Sequence, residues 1–512
     1  MPPYSERPQA QPRSSVQPSV YQQAILDWMM VGEGNAIVSA KAGSGKTSTL
    51  CMLSDLIPQD GTRAAFLAFN KSIATELSAR LPKHVQAATF HSVCMQALKR
   101  HPAMAPYANS RSWVRSGKVH SILDGLHNTY GDAVEVMRKG VVQLVGLMKA
   151  NALMPNTVDY VPFDLVDRYE IEFDPEDPNS AALGVKMARE VLAINNQTLN
   201  EIDFDDMLYL TYIMDAPLQK YSHLFVDEAQ DTNLIQRRLI ARMLTSSSRA
   251  VFVGDEAQAI YGFRGADSSA MDNIAEEFAC ARFPLSISYR CPRKVIALAQ
   301  RIVPDIEARE GAPEGTVKQV KEWALADFSA LDLVVCRNTA PLVSLAYKFL
   351  RSHKPVKVMG RDIGEQLVSL IQKMRATTTD ELEEKLSSYT KEEVKKALAK
   401  RQEQRAERIS DQYESILAII DGLPEGDRSV FSVIGVIRSI FSDESNGGRT
   451  TLATIHKCKG MEAHRVFILD GHLLPSKWAK QAWQLQQEQN LKYVSVTRAL
   501  DTLIFVNSEV IE

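Results

Sequence analysis

The sequence predicts an α/β chain with two parallel-sheet cores, each interrupted by a mainly helical insertion. Three observations predict it. An apolar strand (Ala36, Ile37, Val38) runs into AKAGSGKT at 40–47. A second apolar run ends in LFVDEAQD at 224–231. Strand-like runs recur in two groups, with long helical stretches between them.

AKAGSGKT puts small residues where backbone amides must wrap a phosphate chain, which reads as a P-loop. The consensus opens with Gly where this chain has Ala40. Gly43 and Gly45 still supply the turn, Lys46 the phosphate-seeking cation and Thr47 a metal-binding hydroxyl. In DEAQD the strand tip presents Asp227 toward a magnesium ion and Glu228 toward an attacking water. A glycine-rich turn before a helix is often only a turn, but loop and carboxylates together specify a nucleoside triphosphatase.

Taken in chain order, residues 1–18 are rich in Pro, Gln and Ser without periodic apolar positions, and are expected to form a disordered tail. The first core takes 19–94 and 201–292. After the P-loop unit, AAFLAFNKSIATEL leads from a strand at 64–68 into an amphipathic stretch. A further strand is read at 87–91, and others at 223–226 and 250–253. Residues 95–200, with stretches such as VVQLVGLMKA and AALGVKMAREVLA, read as a helical insertion. The second core takes 293–362 and 449–512, with strands at 331–337, 451–454, 465–469 and 502–506. Its insertion, 363–448, is charge-dense (KEEVKKALAKRQEQRAER), and Glu and Lys three or four apart describe a solvated helix face better than a nucleic-acid patch.

Composition excludes several classes. With 512 residues, 45% hydrophobic and 24% charged, the chain is an ordinary globular protein of several domains. A net charge of -3 argues against coating nucleic acid by bulk charge, though a local basic groove fits inside a neutral total. The six scattered cysteines form no Cys-x-x-Cys pair and are expected to be reduced. No apolar run approaches about 18 residues and no leader is visible, so no membrane partner is expected. The expected location is cytoplasmic, nucleoid-associated, or the host cytoplasm for a viral source.

One more stretch, VFVGDEAQAIYGFRGA at 251–266, separates a motor from a plain ATPase. Gln258 at a strand end is placed to sense a γ-phosphate or its water. Tyr261, Phe263 and Arg264 follow on the same turn; aromatic residues near a strand end are core residues in most proteins, and otherwise stack on bases.

With these residues in view the chain resembles the UvrD/Rep-like family of superfamily 1A DNA helicases, from Gln22 nearly to the C-terminus. Gln22 resembles the adenine-reading glutamine, with Gln23 as the alternative register. AFNKSIATEL, TFHS, DFDDML and DEAQDTNLIQ follow in family order, then SYRCP, TIHKCKGMEA and YVSVTRA. Phe263 stands where many members have Trp, Ser288 replaces a frequent Asn, and the insertions are shorter than in the bacterial enzymes. The wording is closer to phage and F-box helicase relatives.

The resemblance implies two RecA-like cores (1A and 2A) with insertions 1B and 2B, ATP and Mg2+ as cofactors, and 3′ to 5′ movement on single-stranded DNA. It implies that Lys46 and the loop (Ala42, Gly43, Ser44, Gly45, Thr47, Ser48) hold the phosphates, and that Thr47 and Asp227 hold the metal. Glu228 is the implied base, Tyr289 stacks on adenine, and Glu462 meets the ribose. Arg290 and Arg498 neutralise the leaving γ-phosphate, so hydrolysis follows closure of the cleft between cores. Arginines in this role are worth on the order of 10³ to 10⁵ in rate. Phe69, Tyr261 and Phe263 are implied base-stacking residues, and Asn70, His91, Arg264 and His456 backbone contacts. Expected partners are single-stranded and tailed duplex DNA, with a replication or repair protein at the tail or helical insertions. Two other classes stay open: a DNA-dependent ATPase that remodels or loads proteins without unwinding, and an ATP-switched binding module.

Overall fold

The structure, a computed structural model, describes residues 17–68, 71–110, 112–174, 177, 179–260, 269–399, 402–441 and 449–511. Their contacts divide into two units. One holds the described residues of Met1–Glu256 and Tyr261–Ser286, the other those of Ala257–Ile260 and Ile287–Glu512.

The first unit is built on six parallel strands: β1 (Asn35–Ala40), β2 (Ala64–Ala68), β3 (Val85–Thr89), β4 (His223–Val226), β5 (Arg249–Gly254) and β6 (Cys280–Leu285), in the order β3-β2-β4-β5-β1-β6. The central strands are apolar on successive residues because both faces are covered. Val38, Phe66, Phe225 and Val251 pack with helices Val20–Val31 and Lys46–Asp55 on one face. Ile37, Leu67, Val226 and Phe252 join Leu98, Trp113, Leu144 and Leu192 of the helical stretch in a second cluster. Parallel register puts the ends of β1, β4 and β5 on one carboxyl edge, where open α/β sheets bind ligands.

The strand expected at 87–91 is displaced toward the N-terminus. β3 stops at Thr89, whose hydroxyl accepts the Ser92 N–H while the Ser92 hydroxyl accepts the Thr89 N–H. This capping box starts helix Phe90–Arg100, so His91 sits on a helical first turn. β6 escaped the sequence reading because it is an edge strand carrying Arg282 and Pro284.

DFDDML is explained by burial. Asp203 caps helix Phe204–Ile213, and its backbone N–H is accepted by Asp206. Asp206 is fully buried between two buried lysines, 2.8 Å from Lys118 Nζ and 2.8 Å from Lys149 Nζ; Lys149 also meets Asp203 at 2.7 Å. Burial would push the Asp206 carboxyl up, but the two ammonium groups outweigh it and hold it below its usual value. Its stabilisation is therefore present above the ordinary carboxylate pKa and lost as pH falls through the lowered folded value. Asp206→Ala strands the Lys118 ammonium, leaves Lys149 with Asp203 alone, and is expected to cost about 3 to 5 kcal/mol in urea unfolding. A loss under ~1 kcal/mol would show the network to be dispensable.

In the second unit β7 (Ile287–Ser288) and β8 (Glu307–Ala308) form a short parallel pair. A second six-stranded parallel sheet contains β9 (Thr316–Gln319), β10 (Leu333–Cys336), β11 (Val356–Val358), β12 (Thr450–Thr454), β13 (Ala463–Leu469) and β14 (Ala499–Val506), in the order β11-β12-β10-β13-β14-β9. Helices Arg361–Met374, Thr379–Ala399, Glu403–Gly422 and Val430–Ile440 lie in the stretch read as an insertion. Their Leu367, Leu382, Ile416 and Ile437 belong to one apolar cluster with Val334, Phe349, Leu452 and Phe467 of the sheet layer. A polar tie reinforces it. Arg337, just past β10, donates to Glu488 at 2.7 Å and to Glu407 at 3.0 Å, and Asp411 accepts the Thr339 and Ala340 N–H groups at 2.9 Å. Glu407 and Asp411 both come from Glu403–Gly422.

Candidate active site

β1 ends in a loop that enters helix Lys46–Asp55 through two residues in left-handed backbone, Gly43 (φ 71°) and Gly45 (φ 84°). Side chains rarely tolerate that conformation, so glycine is required at both. Gly45 occupies the cap position and offers no side chain to the helix, which leaves the first-turn amides open to an anion. Ser44 Oγ is buried with no hydrogen-bond partner. Orphaned hydroxyl and uncapped amides fit a phosphate chain.

Lys46 Nζ lies 3.2 Å from Glu228 Oε1. Burial alone would lower its pKa, but Glu228, Asp227 and Asp255 outweigh it and hold the ammonium above the usual lysine value. Asp227 follows β4 directly, donates its N–H to Leu67 O (3.2 Å), and accepts the Glu228 N–H on Oδ1 (2.9 Å). Glu228 itself has φ 52°, a left-handed conformation that costs about 1 to 3 kcal/mol in a non-glycine residue. Its carboxylate is thereby turned back over the loop.

Thr47, at the start of the helix, and Asp227, directly after β4, carry oxygens of the kind a magnesium ion takes. The described residues contain no group of three or more His, Cys, Asp or Glu suited to a metal. An ion here would complete its shell with phosphate oxygens and water. Gln22 is buried and donates from Nε2 to Thr49 Oγ1 at 3.0 Å, on the helix that follows the loop, whereas Gln23 is exposed and donates to Asp27. Ala42 is buried; Thr47 and Ser48 are half-buried at the start of the helix.

The second unit holds Gln258, Tyr289, Arg290, His456, Glu462 and Arg498. Arg498 is 1% exposed and donates to Val494 O, Met461 O and Thr497 Oγ1, all neutral acceptors. Burial and the neighbouring Arg290 charge lower its pKa. Arg290 in turn pairs with Glu462 at 2.7 Å. Glu462, expected to meet a ribose, is thus the salt-bridge partner of Arg290 here. Tyr289 is 42% exposed. Gln258 is buried, and its carbonyl accepts from Lys459 Nζ at 2.9 Å.

Residues 22–279 match the family model of the UvrD/REP helicase N-terminal domain, and residues 176–509 that of the UvrD-like helicase C-terminal domain. The chain belongs to the UvrD/REP helicase family. It is 27% identical over 324 residues to a probable DNA helicase II homolog of Mycoplasma pneumoniae, covering 56% of this chain and 42% of that protein. It is 26% identical over 339 residues to DNA helicase II of Haemophilus influenzae (58% and 43%), and 24% over 293 residues to ATP-dependent DNA helicase PcrA of Leuconostoc citreum (53% and 37%). The matched region thus spans under half the length of these relatives.

Of the nucleic-acid residues expected in this UvrD/REP family chain, Phe69, Asn70, Tyr261, Phe263 and Arg264 lie outside the described residues. His91 is half-buried, and burial pulls its imidazole below its usual pKa, so at neutral pH it is an uncharged partner. His456 is half-buried in the turn after β12. Sequence reading missed two residues. Phe204, on the first turn of its helix, is 60% exposed with its ring centroid 5.0 Å from that of His91. Gln230, given no role in the sequence, is buried beside Glu228. All six cysteines are free thiols, and among the described residues no helix is long and apolar enough to cross a membrane.

Proposed function

We propose that the chain is an ATP-dependent DNA helicase or translocase that moves 3′ to 5′ along single-stranded DNA. The observation that supports it most is the phosphate loop with Lys46, Asp227 and Glu228 on one sheet edge, in a chain of the UvrD/REP family. In this reading the loop amides and Lys46 bind the β- and γ-phosphates of ATP, and Glu228 takes the proton of the attacking water. Thr47 and Asp227 would hold a magnesium ion, which would supply charge neutralisation on the phosphates. Gln22 and Tyr289 receive the adenine, Glu462 the ribose, and Gln258 the γ-phosphate. Arg290 and Arg498 stabilise charge on the departing phosphoryl group, which couples hydrolysis to closure between the cores. The 1A, 1B, 2A and 2B boundaries given above are part of this proposal, as is a protein partner at the tail or the insertions.

On the DNA side, Phe204 and His91 form an aromatic step that joins Phe69, Tyr261 and Phe263 as base-stacking candidates. Asn70, Arg264 and His456 are proposed for the backbone. Phe204→Ala is expected to weaken single-stranded DNA binding by about 1 to 3 kcal/mol, read by fluorescence anisotropy. Because the ring is exposed, stability should change by no more than about 0.5 kcal/mol. Unaltered affinity removes Phe204 from the DNA path.

The reading is tested by ATP turnover with and without single-stranded DNA, together with unwinding of 3′-tailed and 5′-tailed duplexes. Stimulation by DNA and 3′-tail dependence support it, and DNA-independent turnover sinks it. A second reading, a DNA-dependent ATPase that strips or loads proteins, is favoured by one observation: the helices of the second insertion share the core of their sheet. Streptavidin displacement without strand displacement would select it.

A further inference from the structure

We propose that Gln230 is a positioning residue that orients the Glu228 carboxylate and ties it to the end of β5. The inference rests on the ATPase reading above, in which Glu228 is the base. Gln230 is buried in the short turn Ala229–Asp231, and its side chain makes two bonds of opposite sense. Oε1 accepts the Asp255 N–H at 3.0 Å, and Nε2 donates to Glu228 Oε2. The first bond fixes the amide orientation, because a backbone N–H can only donate. The NH2 group must then face the glutamate.

The remaining geometry is built around this bridge. A Cβ at Gly254 would fall 2.6 Å from Gln230 Oε1, 3.0 Å from Gln230 N and 2.7 Å from Met271 Sδ, so only glycine lets β5 approach this closely. Glu228 divides its two oxygens: Oε1 faces Lys46 and Oε2 faces Gln230. A triphosphate competes with Glu228 for Lys46, since both are anions. It does not compete for a buried neutral amide. Gln230 is therefore a contact able to hold Glu228 in place once phosphate has drawn Lys46 away. Asp255 lies three residues before Gln258, so a shift of this backbone reaches the base through one side chain.

Gln230→Glu separates positioning from mere satisfaction of the Asp255 amide, since the new side chain still accepts that N–H but turns a second carboxylate on Glu228. We expect kcat at pH 7 to fall about tenfold to a hundredfold, with KM for ATP within about threefold. Gln230→Met, which keeps the volume and neither bond, should lose turnover as well. Gly254→Ala should reproduce the loss by displacing Gln230. Melting temperature and ATP affinity are measured beside each variant. An active wild type with an indifferent Gln230→Glu, or a loss confined to ATP affinity and melting temperature, overturns the proposal alone. A wild type without turnover sinks the ATPase reading and this one with it.

Discussion

Lys46→Ala is expected to abolish ATP turnover, with a loss on the order of 10² to 10³ or more, while leaving single-stranded DNA binding largely intact. The size follows from where the ammonium stands. It balances Glu228, Asp227 and Asp255, and its pKa is raised by all three. Without it the loop would present uncompensated carboxylates to an incoming triphosphate, so binding and hydrolysis both suffer. Glu228→Gln is the informative companion: it removes the proposed base yet relieves the same repulsion, and should keep ATP affinity while losing turnover. Near wild-type hydrolysis by Lys46→Ala would mean that AKAGSGKT is only a turn.

Arg498→Ala is expected to lower turnover by about a hundredfold or more while keeping nucleotide affinity within about tenfold, because the guanidinium is asked to act mainly in the transition state. Its surroundings sharpen the test. Its hydrogen bonds go to carbonyls and a hydroxyl, and its charged neighbour Arg290 repels it, so the positive charge is held in reserve for an anion. Arg498 is also buried, and truncation removes packing. Turnover must therefore be normalised to folded protein by thermal unfolding. A loss confined to ATP affinity, or one that tracks the melting curve, would make Arg498 a structural residue.

The phosphate loop and the acidic strand tip were legible in the sequence because their chemistry is local: backbone amides, a glycine turn and adjacent carboxylates need no partner elsewhere in the chain. The central strands were legible for a similar reason, since burial on both faces leaves an unbroken apolar run such as Ala64–Ala68. Features set by tertiary surroundings were not. β6 hides Arg282 and Pro284 on a sheet edge, and Thr89 ends a strand and caps a helix at once. Phe204 looks like any core Phe until its exposure is known. The second insertion reads from sequence as a solvated helix face because it is dense in Glu and Lys. Leu382 and Ile416, which join it to the sheet layer, are thinly spread through a Glu- and Lys-rich sequence.

The tie between Arg337 and the helix Glu403–Gly422 bears on how such a chain gains or loses length over evolution. An accessory lobe on a clean stalk can be excised or exchanged without disturbing its host. This one has no such seam. Cutting out the stretch between β11 and β12 would bare the apolar residues of the sheet layer, leave Arg337 without Glu407, and uncap the helix that Asp411 closes. A deletion there is therefore expected to take the second sheet down with its helices rather than trim a lobe from it.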